Sequence, residues 1–73
     1  KEGILVNIEK RFGERVRELR KKQNISQEEL SFRAGLHKNY VSDVECGRRN
    51  VSLRAIEQFA EGLGISLKEL MNF

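Results

Sequence analysis

The chain has 73 residues and a formal net charge of +3. A single cysteine excludes an internal disulfide, and Cys46 with His37 is too small a set for structural zinc. Nothing in the sequence resembles a signal peptide or a membrane span, so we expect no membrane association, and the lone cysteine favours the reducing cytoplasm. A domain of this size buries only about 60% of the surface of its unfolded chain, so we expect tight helix packing and self-association to supply its stability.

Positive charge is concentrated in the first third of the chain. The basic residues that crowd this part are Lys10, Arg11, Arg15, Arg17, Arg20, Lys21 and Lys22. Arg48 and Arg49 follow as a pair, whereas acidic residues such as Glu57, Glu61 and Glu69 lie towards the end. This distribution predicts a domain with one positive end, which is compatible with nucleic acid but does not establish it.

Apolar periodicity predicts a first helix over about residues 7–23. Ile8, Phe12, Val16 and Leu19 recur at steps of four, four and three, which is one face of a helix with 3.6 residues per turn. Asn24 is expected to end this helix, because asparagine tolerates the left-handed backbone conformation.

Two short helices joined by a tight turn follow. Ser26 and Glu29 form a predicted capping box, and the second helix ends at Gly35. Only Leu36 and His37 then precede a third helix over about residues 38–46. A short helix, a turn with glycine and another short helix predict a helix-turn-helix over about residues 26–46.

The last two helices are again marked by serine caps. The fourth begins at Ser52 and ends at Gly64, and the fifth opens with a second predicted capping box, formed by Ser66 and Glu69. These patterns predict an all-α, compact five-helix fold, with residues 1–73 as a single domain.

Several segments in register resemble the lambda-repressor and Cro family of helix-turn-helix regulators. They are SQEEL at 26–30, AGL at 34–36, YVSDVE at 40–45, Gly47, and LGIS at 63–66. Residues 37–50 are most similar to the controller proteins of restriction–modification systems. The features that carry this similarity are Lys38, Asn39, Tyr40, Val41 and Ser42, followed by Arg48, Arg49 and Asn50. Phage repressors and antitoxin-like regulators share much of the same pattern and remain alternatives.

The resemblance implies a transcription regulator that binds DNA as a homodimer on a pseudo-palindromic operator. A controller protein would regulate its own gene and the endonuclease gene. In this family the third helix lies in the major groove, so the candidate base contacts are Lys38, Asn39, Ser42 and Asp43. Lysine suits guanine acceptors, asparagine can pair with adenine, and an acid can accept from cytosine or repel unsuitable sites.

The remaining site residues have backbone-binding or structural roles by the same resemblance. Candidate contacts to the DNA backbone are Gln27, Arg15, His37, Tyr40, Arg48, Arg49 and Asn50. For Tyr40, packing against the core is an equal alternative. Arg20 and Glu45 resemble the partly buried ion pair that joins the first and third helices in this family.

Apolar residues near the end of the chain are the candidates for self-association, within a dimerisation region of about residues 53–73. They are Leu63, Leu67, Leu70, Met71 and Phe73. The alternative is that all of them belong to the core of one chain. Phe32, where the family usually has a polar residue, and Cys46 receive no function from these patterns.

Double-stranded DNA and a second copy of the chain are the expected partners, with RNA polymerase as a further one. We expect no cofactor, no metal and no small-molecule ligand. No nucleophile–base pair or supported carboxylate dyad is recognisable, so we do not expect an enzyme. Two alternatives from other classes remain: an antitoxin-like or scaffold module that binds protein, and a substrate-binding appendage of a larger enzyme.

Overall fold

The computed structural model describes residues 7–73, which contain five α-helices and no strand. The helices are α1 Ile8–Lys22, α2 Gln27–Ala34, α3 Lys38–Glu45, α4 Leu53–Leu63 and α5 Leu67–Leu70. The prediction of an all-α fold with five helices is confirmed, and the predicted boundaries differ from these by a residue or two. Within residues 7–73 no helix is long and apolar enough to cross a membrane.

A side-chain cap fixes the start of every helix. Ser26, Ser52 and Ser66 each accept a hydrogen bond from a backbone N–H three residues further on, at 3.0–3.1 Å. The capping box predicted at α2 is only half formed, because the Glu29 carboxylate accepts a hydrogen bond from Nε of Arg33 at 2.9 Å instead. Gly35 and Gly64 end α2 and α4 in the left-handed conformation.

The core is built around Phe59 of α4, which is fully buried. Its ring and the Phe12 ring from α1 are nearly perpendicular, at an interplanar angle of 76° and a centroid distance of 5.8 Å. The other buried apolar residues come from all five helices: Val16, Leu19, Leu30, Ala34, Val41, Val44, Ala55, Ala60, Leu63 and Leu70. The short helices are therefore held by burial in a shared core, which is what helices of eight residues require in water.

The burial of Leu63 and Leu70 shows that one part of the predicted dimer interface is wrong. Their exposed fractions are 3% and 0%, so both side chains belong to the core of a single chain. Leu70 is the only buried residue of the four-residue α5, and its burial holds that helix against the domain. Neither residue is accessible to a second subunit.

Two glycines allow close helix–helix approach around α2 and α3. A Cβ at Gly13 of α1 would collide with the carbonyl oxygens of Val44 and Glu45, where α3 ends. A Cβ at Gly62 of α4 would lie 2.8 Å from Cβ of Ala34 in α2. The orientation of the α2–α3 unit is thus set by backbone contacts with the helices on either side.

Candidate nucleic-acid interface

Helix α3 has one buried side and one accessible side. Val41, Val44 and Glu45 are buried against the rest of the domain. Lys38 and Asn39 are exposed in its first turn, and Ser42 and Asp43 are half-buried one turn later. Spacings of three and four residues place these last four side chains on the same side of the helix. The structure thus brings together all four predicted base contacts.

His37 fixes where this accessible surface begins. Its Nδ1 atom accepts a hydrogen bond from the backbone N–H of Asn39 at 3.1 Å, which makes it the N-cap of α3. The rest of the imidazole remains exposed. The cap holds Lys38 and Asn39 in the first turn, the part of a recognition helix that approaches base edges.

A buried ion pair holds α3 against α1. The Arg20 guanidinium donates from Nε to Oε2 of Glu45 at 2.6 Å and from a terminal nitrogen to Oε1 at 3.0 Å. Arg20 also donates to the carbonyl oxygen of Ile25 at 2.9 Å. The hydrogen bond to Glu45 raises the pKa of Arg20 despite the opposing effect of burial, so this arginine stays charged at any working pH.

Gln27 joins the same cluster. Its Nε2 atom donates to Oε1 of Glu45 at 3.0 Å, which uses one of the two N–H donors of the side-chain amide. This bond connects the first turn of α2 to the end of α3. What Gln27 offers outside is its backbone N–H at the start of α2, where helix amides lack intrahelical partners.

A second set of contacts surrounds the end of α3. The Asp43 carboxylate lies 3.5 Å from a guanidinium nitrogen of Arg48 and 3.5 Å from Nε of Arg49. The Arg49 guanidinium also lies over the Tyr40 ring, 5.2 Å from its centroid. Tyr40 in turn stacks on Phe59, with centroids 6.4 Å apart and an interplanar angle of 21°. The alternative of core packing for Tyr40 is therefore realised, while its ring still borders the arginine pair.

Arg15 does not join these groups. Its guanidinium donates to the carbonyl oxygens of Glu69 at 2.7 Å and Leu70 at 3.3 Å, and it pairs with Glu18 at 3.3 Å. The Arg15 side chain is only 13% exposed. Carbonyl oxygens in the last turn of a helix have no intrahelical donors, and Arg15 supplies them. The prediction that Arg15 contacts the DNA backbone is corrected, because its donors are used to hold α5 in place.

An exposed apolar face, which the sequence prediction covered only in part, lies away from α3. Two shallow depressions share Ile56: one also contains Ile8, Val51 and Met71, and the other Leu53 and Leu67. Leu53 is 85% exposed. The sequence held a signal for this face, because helical spacing places Leu53 and Ile56 at one margin of the apolar stripe of α4. Asn50, a predicted backbone contact, lies at the rim of the first depression.

Phe32 and Cys46 lie outside these clusters. Phe32 of α2 is 83% exposed, and Cys46 is an exposed free thiol at the C-terminal end of α3. Within residues 7–73 no three potential metal ligands come together.

Two short helices in a fixed mutual orientation, the second with its polar side outward beside two arginines, define a helix-turn-helix DNA-binding domain. The sequence matches the helix-turn-helix family over residues 16–70. The chain belongs to this family, and its similarity to controller proteins identifies it as a DNA-binding transcription regulator of that group.

The similarity to controller proteins extends over most of the chain. Control protein C.BamHI of Bacillus amyloliquefaciens is 48% identical over 92% of this chain and 84% of that protein. Control protein C.MunI of a Mycoplasma species is 43% identical over 90% of each. The crystal structure of the restriction-modification controller protein C.AhdI from Aeromonas hydrophila superimposes with a TM-score of 0.83 at 48% identity, covering 86% of this chain and 96% of that one. The predicted resemblance to restriction–modification controller proteins is confirmed.

Proposed function

We propose that the chain acts as a homodimer on a pseudo-palindromic operator and regulates its own gene and the gene of a restriction endonuclease. The observation that carries the proposal is the accessible side of α3. Hydrogen bonds from Arg20 and Gln27 to the buried Glu45 hold the opposite side of this helix against the domain. A helix held in this way presents its first turn to a DNA groove without further ordering. The similarity to controller proteins supports the assignment of the regulated genes.

Lys38, Asn39 and Ser42 are proposed to read base edges in the major groove. The backbone N–H groups at the start of α2, including that of Gln27, would bind a phosphate. Contacts to the flanking DNA backbone are assigned to His37, Tyr40, Arg48, Arg49 and Asn50. In this proposal the backbone contacts position the protein on DNA, whereas Lys38, Asn39 and Ser42 recognise the sequence.

The second subunit is proposed to cover the exposed apolar face. The covered surface would include Leu67 and Met71 from the predicted set, and we add Leu53, Ile56 and Ile8, which line the same two depressions. Phe73 is less well placed, because it lines neither depression and lies beside the Arg11 guanidinium, 5.2 Å from its ring centroid. A two-fold axis through this face would present two recognition helices about one DNA turn, roughly 34 Å, apart.

The proposal includes no catalytic role and no cofactor. The protein would act in the bacterial cytoplasm, where its operator lies. RNA polymerase would be its further partner at promoters that it activates, and the distance from operator to promoter would decide between activation and repression.

The test is selection of bound sequences from a random duplex pool at a fixed salt concentration. Wild type is compared with the double variant Lys38→Ala/Asn39→Ala and with Lys68→Ala, a control that removes the same charge from an exposed position of α5. We expect a two-fold motif from wild type and Lys68→Ala, and a lost or relaxed motif from the double variant.

A different outcome would overturn the proposal. Salt-sensitive binding of wild type without any motif would show a basic domain that binds phosphates only. The protein-binding alternative would then replace the operator-binding one.

A further inference from the structure

We infer that Asp43 restrains Arg48 and Arg49 in the free protein and competes with DNA phosphates for them, instead of reading a base. The inference rests on the proposed function in one respect: it takes the α3 surface to be the one that faces DNA. It assigns Asp43 as a positioning residue that sets the strength of backbone binding.

The backbone after α3 brings the two arginines back to Asp43. Gly47 adopts a φ of +76°, a conformation that favours glycine. The turn is closed by hydrogen bonds from the N–H of Gly47 to the Val44 carbonyl oxygen at 3.0 Å and from the N–H of Arg48 to the Asp43 carbonyl oxygen at 2.9 Å. Arg48 and Arg49 therefore start beside the last turn of α3.

The Asp43 carboxylate uses both of its oxygens on these arginines. Oδ1 faces Arg48 and Oδ2 faces Arg49, each at 3.5 Å. Arg49 is held on its other side by the face of Tyr40. Both guanidinium groups remain exposed, so a phosphate can reach them, but it must replace the carboxylate to bind them fully.

The position of Asp43 in the helix points in the same direction. A carboxylate in the last turn of a helix is disfavoured by the helix dipole, so Asp43 does not contribute to the stability of α3 by its charge alone. The arginine pair compensates for this unfavourable placement. Replacement of Asp43 by asparagine should therefore leave the fold intact and change mainly the charge available to DNA.

The test measures affinity and its salt dependence on two duplexes of equal length, the selected operator and a scrambled sequence. Asp43→Asn is compared with wild type and with Glu61→Gln, which makes the same charge change at an exposed position of α4. Exposed ion pairs are weak, so we expect Asp43→Asn to bind both duplexes roughly three- to tenfold more tightly than Glu61→Gln does. The slope of log affinity against log salt should steepen by about one per subunit.

Two results would overturn the inference. If Asp43→Asn binds the scrambled duplex no better than Glu61→Gln, Asp43 does not restrain the arginines. If operator affinity falls and the selected motif relaxes at one base pair, Asp43 reads a base. The scrambled-duplex comparison does not depend on a motif, so failure of the operator proposal and failure of this inference are separable.

A double-mutant cycle assigns the effect to the arginines. In the background Arg48→Ala/Arg49→Ala, Asp43→Asn should behave like Glu61→Gln, because the groups that Asp43 restrains are gone. An undiminished gain in that background would contradict the inference and indicate a general charge effect.

Discussion

Glu45 is the residue on which the recognition helix depends most. It is buried, it accepts two hydrogen bonds from Arg20, and it accepts a third from Gln27. A carboxylate can accept about four hydrogen bonds, and donors from α1 and α2 supply three of them here. A buried pair of this kind adds little net stability over an apolar pair, but loss of one partner leaves an uncompensated buried charge.

Arg20→Ala is therefore expected to lower the free energy of unfolding by roughly 3–5 kcal/mol. The matched control is Arg33→Ala, which removes an arginine from the exposed pair with Glu29 and should cost about 0.5 kcal/mol or less. Urea unfolding at one fixed protein concentration measures both, because self-association makes stability depend on concentration. Equal losses in the two variants would contradict the structural role of Glu45.

At the contact between α1 and the end of α3 there is no room for a side chain on α1. Gly13 lies directly against the carbonyl oxygens of Val44 and Glu45. These are backbone atoms, and they cannot move unless the end of α3 moves with them. The position of the recognition helix is thus coupled to one residue of α1 that has no contact with DNA in the proposed complex.

Gly13→Ala separates two opposing effects. Helix propensity alone predicts a gain of about 1 kcal/mol, because alanine is the better helix former. The collision with backbone predicts a net loss, of about 1–3 kcal/mol, and a displaced α3. We therefore expect a lower thermal unfolding temperature and weaker operator binding. The control Glu14→Ala, at an exposed neighbouring position in the same helix, should change neither property by much. A stabilised Gly13→Ala variant would show that α1 and α3 are further apart than described.

The helices were predictable because their signals are local. Apolar spacing and serine caps depend on residues three or four apart, and they located five helices to within a residue or two. The partner of an apolar side chain is not a local property. Leu63 and Leu70 have the same character as Leu67 and Met71, and only packing decides that the first two fill the core.

The polar residues show the same limit. The outward side of α3 follows from helical spacing, so Lys38, Asn39, Ser42 and Asp43 could be grouped from the sequence. The hydrogen bonds from Arg15 to Leu70 and from Gln27 to Glu45 could not be predicted, because donor and acceptor lie 55 and 18 residues apart along the chain. Asp43 was placed on the correct side, but its contacts with Arg48 and Arg49 depend on the turn at Gly47.

In the proposed dimer, the exposed apolar face around Ile56 determines how the two subunits assemble. A single helix in the major groove makes few base contacts, so an operator of useful specificity needs two helices in a fixed relation. Leu53 is the most exposed apolar residue of that face and contributes little to the core of its own chain. It is therefore the position at which association can be changed without unfolding the domain.

Leu53→Lys is expected to give a folded monomer with operator affinity reduced more than about tenfold, because the two half-sites are no longer bound together. Phe32→Lys makes the same change at an equally exposed apolar residue that lines neither depression, and it should remain dimeric. Sedimentation and binding to the selected operator measure both properties. A dimeric Leu53→Lys variant would place the subunit contact elsewhere.

The burial of one side of α3 also has a consequence for how the protein exchanges its amide hydrogens. Val41 and Val44 are part of the core shared by all five helices. We therefore expect that α3 does not unfold locally while the other helices stay folded. Its interior amides should exchange only through unfolding of the entire domain. Binding to DNA would then involve no folding step, and the heat-capacity change would reflect the surface buried and not the ordering of a helix.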